Sequence, residues 1–192
     1  MFSNLRAFDT LHIHLVLILV AWIAKGFAFD LTFNSNLAVY WGQDSYGNTH
    51  PSDKANYEKP LRGYCQDDTF DVLILAFLDN FNLGSLPQLD LSDHCNANFA
   101  GTRQKVLLSL GGAIGSYGFK NDMEGRTFAD TLWNVFGNGQ SDTRPFESAV
   151  VDGFDLDIEG GSSTGYVAMI EQLRTYYLAD TSKPYYITGA PQ

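Results

Sequence analysis

Residues Ala149 to Gly161 read AVVDGFDLDIEGG and place four carboxylates, Asp152, Asp155, Asp157 and Glu159, within eight positions. Between the later ones sit Phe154, Leu156 and Ile158, residues suited to a buried strand. Alternate side chains on a strand share a face, so Gly153, Asp155, Asp157 and Glu159 point one way and the three apolar residues the other. Packing gives no reason to gather like charges on such a strand, because an unpaired buried charge is costly. Catalysis does give one. Neighbouring carboxyl groups share protons rather than all ionising, and a protonated acid near neutral pH is what general acid catalysis needs. The spacing therefore predicts an acid–base site with Glu159 at the end of the strand. Asp152, of opposite parity and near the strand's start, reads as structural.

Two other readings of these acids fit less well. Counted as a calcium loop from Asp155, the segment puts Tyr166 at position twelve, where a bidentate glutamate belongs, and it lacks flanking helices. A solvated acidic face would not interleave Phe, Leu and Ile. No CxxC or histidine-rich spacing suggests another metal site, so neither a metal nor a cofactor is expected.

The elements that must carry this strand alternate along the chain. LAVYWG (37–42), DVLILAFL (71–78), KVLLSLGG (105–112), VVDGFDLDIE (150–159) and PYYITGA (184–190) read as five strands. Tyr57, Leu61, Tyr64 and Cys65 recur at helical spacing behind Ser52 or Asp53, as do Phe128, Leu132, Val135 and Phe136. Tyr166, Ile170, Leu173 and Tyr177 mark a further helix behind Ser163 and Thr164. Apolar strands alternating with helices imply parallel βαβ units, in an open doubly wound sheet or a (β/α)8 barrel. The dinucleotide fingerprint is missing from YWGQDSYGN after the first strand, which favours the barrel, where active sites lie at the C-terminal strand ends. The barrel is expected to be incomplete: five strands are read, and residues 79–103 lack the helical period that a parallel crossover normally has.

The remaining composition bounds the function. A net charge of -10 with no cluster of Lys and Arg argues against a nucleic-acid partner and leaves a neutral polymer or small molecule. Arg6, the ten apolar residues Leu15 to Ala24, and Gly26 and Ala28 before a cleavage point have the layout of a secretory signal. The run is too short for a bilayer span of ~20 residues. The expected organisation is thus a signal peptide over 1–28, a catalytic domain over 29–192, and a secreted, extracellular monomer with no membrane association after cleavage. Cys65 and Cys95 are the only cysteines, and their spacing does not decide whether they pair. His50 and His94 read as solvated loop residues.

Asp152-x-x-Asp155-x-Asp157-x-Glu159 resembles the DxxDxDxE signature of glycoside hydrolase family 18, the chitinases. LLSLGGAIGSYGF resembles that family's SxGG strand, with Ser109, Gly111 and Gly112 in place. AVYWGQDSYGN, LAFLDNF and ITGAPQ resemble the first, second and fifth strands of fungal and plant class III chitinases, so the similarity runs from about Leu37 to Gln192. The resemblance implies a retaining, substrate-assisted mechanism. Glu159 would be the general acid, Asp157 would hold the substrate's acetamido group and Asp155 would share a proton with Asp157. Ser109 and Asp152 would be structural members of the motifs. Tyr40, Trp41, Gly111 and Gly112 are expected to contact substrate, with a wall role open for the two aromatics. The implied partner is chitin or another N-acetylglucosamine polymer.

Family members also carry an acetamido-binding Tyr on strand six and a floor-forming Trp on strand eight, positions that would lie beyond Gln192. Class III members have a cysteine-containing helical stretch before strand three, where this chain joins NFAGT directly to RQKVLL. These departures point to a truncated or spliced product or an incomplete gene model, with weak activity and poor solubility in isolation. Two functions follow from the resemblance: a secreted chitinase, or a non-catalytic carbohydrate-binding or inhibitor-like product of the same fold. Retention of Glu159 favours the first.

Overall fold

A computed structural model describes residues 29–82, 85–92, 94 and 103–191. Five parallel strands run in sequential order, β1 (Ala38–Trp41), β2 (Val72–Phe81), β4 (Lys105–Gly111), β6 (Gly153–Asp157) and β7 (Tyr186–Gly189). A doubly wound sheet would reverse its strand order at a switch point, and this one never does. The architecture is that of a (β/α)8 barrel represented by five consecutive strands. Two short strands flank β2: β3 (Gln88–Leu89) pairs with it antiparallel and β5 (Ser116–Tyr117) parallel.

The apolar periodicities locate the helices. α3 (Asp122–Val135) and α4 (Tyr166–Ala179) lie against each other and bury Phe128, Leu132, Met169 and Leu173. These side chains join Leu73, Leu75, Leu108, Leu110 and Phe154 from the outward face of the sheet in one core. Asn121 caps α3 by accepting from the Glu124 N–H, while Glu124 Oε2 accepts from the Lys120 N–H, so two donors at the helix entrance are satisfied. The inward face carries a separate, smaller apolar group of Val72, Ile74 and Leu107, with Phe29 and Tyr186 against it. The sheet is therefore apolar on both faces at its base, as the continuous hydrophobic strands require.

The helix expected behind Ser52 or Asp53 is not continuous. It consists of α1 (Ser45–Thr49), a 3₁₀ turn at Lys54–Asn56 and a single turn, α2 (Leu61–Tyr64). Pro60 is the reason, since its ring and missing N–H break any helix running from Tyr57 to Cys65. β2 extends three residues further than its apolar run suggests, because Asp79 and Asn80 continue the ladder and Asn80 pairs with both Gln88 and Ser116. Between β2 and β4 the described residues contain no helix. Residues 1–28, the expected signal, and Cys95 lie outside the described residues, so the signal and the cysteine pairing are expectations from sequence alone.

Gly153 shows how tightly the strands approach. It has φ +152, and a Cβ there would stand 1.9 Å from the Tyr186 carbonyl oxygen of β7. Gly153→Ala is expected to lower stability by about 1–3 kcal/mol, read as the urea midpoint, because strand backbone cannot retreat as a side-chain tip can. An unchanged midpoint would show that the β6–β7 spacing is looser than this.

Candidate active site

Asp155 is the centre of the inward-facing polar layer. The register aligns Ser109 of β4, Asp155 of β6 and Thr188 of β7 as neighbours on three adjacent strands. Ser109 Oγ donates to Asp155 Oδ2 at 2.8 Å, and Thr188 Oγ1 donates to Oδ1 at 2.5 Å. A third hydroxyl, Tyr40 of β1, donates to Oδ2 at 3.0 Å. β1 lies three strand spacings from β6, roughly 14 Å in a flat sheet, beyond the combined reach of a tyrosine and an aspartate. The contact exists because the sheet curls into a barrel. Asp155 is 2 % exposed and would be costly there without such donors.

Asp157 stands one layer above on the same face and is also buried. Its backbone is locked to the end of β4, where the Gly112 N–H donates to the Asp157 carbonyl at 2.8 Å. Gly111 makes this approach possible: it has φ +110, and a Cβ would lie 2.2 Å from that same carbonyl oxygen. Gly112 packs face-on against the Phe77 ring. Both glycines are buried, and the space a side chain would need is taken by the Asp157 carbonyl at Gly111 and by the Phe77 ring at Gly112. Glu159 lies two residues past the end of β6 and is exposed to solvent. The three acids thus rise from a hydrogen-bonded base to an open mouth at the C-terminal strand ends, where barrel sites lie.

The two β1 aromatics separate by parity. Tyr40 faces the acids, is 46 % exposed, and its ring lies 6.0 Å from that of Phe77. Trp41 points to the opposite face, is 2 % exposed, donates its indole N–H to the Lys59 carbonyl at 2.9 Å and packs its ring 4.4 Å from that of His94. Trp41 therefore takes the wall position that the sequence left open beside substrate contact. His94 lies in a loop as read but is not solvated: its Nε2 pairs with Glu58 Oε2 at 3.0 Å beneath the Trp41 ring. His50 is exposed, with its ring stacked on Tyr46.

Asp152 sits outside the ladder. Its Oδ2 accepts from the Val106 N–H at 2.9 Å and its Oδ1 meets Lys183 Nζ at 3.0 Å, tying the starts of β4 and β6 to the approach to β7.

Two residues of this layer were not singled out from the sequence. Thr188 is one; its only cue was its strand position, since any inward residue opposite Asp155 could have matched. Asp79 is the other. It follows Leu78, the partner of Leu110, where β2 leaves β4 and Asn80 pairs with Ser116 of β5. Burial, reinforced by the charge of Asp90, raises the Asp79 carboxyl above its ordinary value.

With the strand order and acid ladder in place, the class follows. The family described as Glycosyl hydrolases family 18 matches residues 36–192, and the chain belongs to it. Chitinase 1 of Rhizopus niveus is 44% identical over 90% of this chain, and the endochitinase of Saccharomyces cerevisiae is 41% identical over 86%. The chain spans about a third of the length of these relatives, 36% and 30% respectively. Among solved structures, a chitinase from Ipomoea carnea superposes with a TM-score of 0.69 at 33% identity, covering 82% of this chain and 58% of that one. A xylanase and alpha-amylase inhibitor protein from Scadoxus multiflorus gives 0.68 at 30% identity, covering 81% and 56%.

Burial, then the charge and hydrogen bonding of Asp155, raises the Tyr40 hydroxyl well above the ordinary phenol value of 10.0. The folded chain thus keeps a proton that the unfolded chain releases from about pH 10 upward. The stability this provides is complete below that pH and is lost as pH rises beyond it. Urea midpoints taken at pH 9 and pH 11 are expected to fall more for the unaltered chain than for Tyr40→Phe. Equal falls would show that Tyr40 does not feel the acids.

Proposed function

We propose that this chain carries the acid–base machinery of a secreted chitinase, acting on β-1,4-linked N-acetylglucosamine polymers. The observation that carries the reading is the shared face of Asp155 and Asp157 on β6, with Asp155 anchored by three hydroxyls and Glu159 exposed two residues past the strand's end. Family membership supplies the reaction class. In the retaining, substrate-assisted scheme, an exception to the two-carboxylate one, Glu159 gives its proton to the glycosidic oxygen as the bond from that oxygen to C1 breaks. The carbonyl oxygen of the sugar's own 2-acetamido group bonds to C1, and an oxazolinium ion forms. Asp157 holds the acetamido N–H and stabilises its developing positive charge. The Glu159 carboxylate then takes a proton from water, whose oxygen attacks C1 and displaces the acetamido oxygen. Configuration is retained and Glu159 is again an acid.

The reading extends to location and state: a monomer exported by residues 1–28 and cleaved after Ala28, working without metal or cofactor. N-terminal sequencing of the exported chain is expected to begin at Phe29. A start at Met1 would remove the signal.

A second reading is a non-catalytic carbohydrate-binding or inhibitor-like protein on the same scaffold. It is favoured by the inhibitor protein from Scadoxus multiflorus, which superposes as well as the chitinase from Ipomoea carnea does. Turnover of a chitin oligosaccharide decides between them. The chitinase reading expects product release by the unaltered chain and a loss of about 10³-fold in Glu159→Gln, the range of general acid catalysis. Saccharide binding with equal background hydrolysis in both would establish the second reading.

A further inference from the structure

We propose that Thr188 is a positioning residue for the reaction, fixing the plane of the Asp155 carboxylate; this rests on the hydrolytic reading above. A carboxylate has two oxygens and about four acceptor sites. Tyr40 and Ser109 both donate to Oδ2, and among the described residues Thr188 is the one hydroxyl on Oδ1. Because the group is planar, the two donors on Oδ2 already set its plane, within the broad well of an aspartate χ2. A donor on Oδ1 opposes the same rotation from the other side and narrows it. Three donors leave one acceptor site, on Oδ1, and the plane of the group decides where that site points relative to Asp157, one layer above.

Thr188 suits this task through its backbone as well as its hydroxyl. It is the direct register partner of Asp155 on β7, so no loop intervenes between them. Its β-branched side chain has few χ1 choices on a strand, which aims Oγ1 with little loss of freedom. Thr188 is itself exposed, on the outer strand of the described sheet. Water in its place would not reproduce the direction of its hydrogen bond, so its loss should cost orientation in addition to the modest stability that the bond supplies.

The test compares the unaltered chain with Thr188→Val, which keeps the shape without the hydroxyl, and Thr188→Ser, which keeps the hydroxyl. On a chitin oligosaccharide, Thr188→Val is expected to lower kcat about tenfold with KM within about twofold, and Thr188→Ser to restore kcat to within about twofold. An unchanged kcat in Thr188→Val, or equal losses in both variants, overturns the proposal while leaving the hydrolytic reading intact. If the unaltered chain shows no turnover, that reading fails, and a double-mutant cycle of Thr188→Val with Asp155→Ala in urea unfolding decides the contact. Coupling of about fivefold or more in the unfolding equilibrium supports it, and additivity overturns it.

Discussion

One buried carboxylate organises this molecule. Asp155 receives hydroxyls from β1, β4 and β7, so a single side chain ties together strands distributed across the described sheet. The tie from Tyr40 has meaning only in a curled sheet, and in turn it holds that curl. Without the three donors the acid would be an unpaired charge in an apolar wall, a cost of several kcal/mol in a fold whose whole margin is about 5–15. The donors that make Asp155 tolerable also orient it beneath Asp157.

Backbone proximity is the second constraint. Gly111 and Gly153 occupy positions where any Cβ would strike a carbonyl of the next strand. Their absence of side chain brings β4, β6 and β7 close enough for the layer of Ser109, Asp155 and Thr188 to meet through short hydroxyls. Lys183 and the Val106 N–H hold Asp152 at the other end of the strand, so the four acids of one segment divide into an anchor, a base, a middle and a mouth.

Much of this was legible from local pattern. The five strands and their parallel order followed from apolar runs alternating with helical spacing, and the ladder's single face followed from the period of two. The failures have physical causes. The Tyr57 to Cys65 spacing imitates a helical face, yet Pro60 forbids the helix. His94 looks polar and exposed because its partners, Glu58 and Trp41, lie far away in sequence. Tyr40 and Trp41 are adjacent aromatics that composition cannot tell apart, while the barrel sends one to the acids and the other into the wall.

What the sequence by itself determined is the chemistry available: which acids share a face, which residue stands at the strand's end, and which family's signature they spell. These depend on chain periodicity alone. Tertiary structure alone decided the partners: that Tyr40 reaches Asp155 across two intervening strands, that Thr188 meets it from β7, and that Gly111 lies against the Asp157 carbonyl and Gly112 against the Phe77 ring. Those outcomes depend on sheet curvature and register, which bring together residues from 33 to 115 positions apart and leave no trace in local sequence.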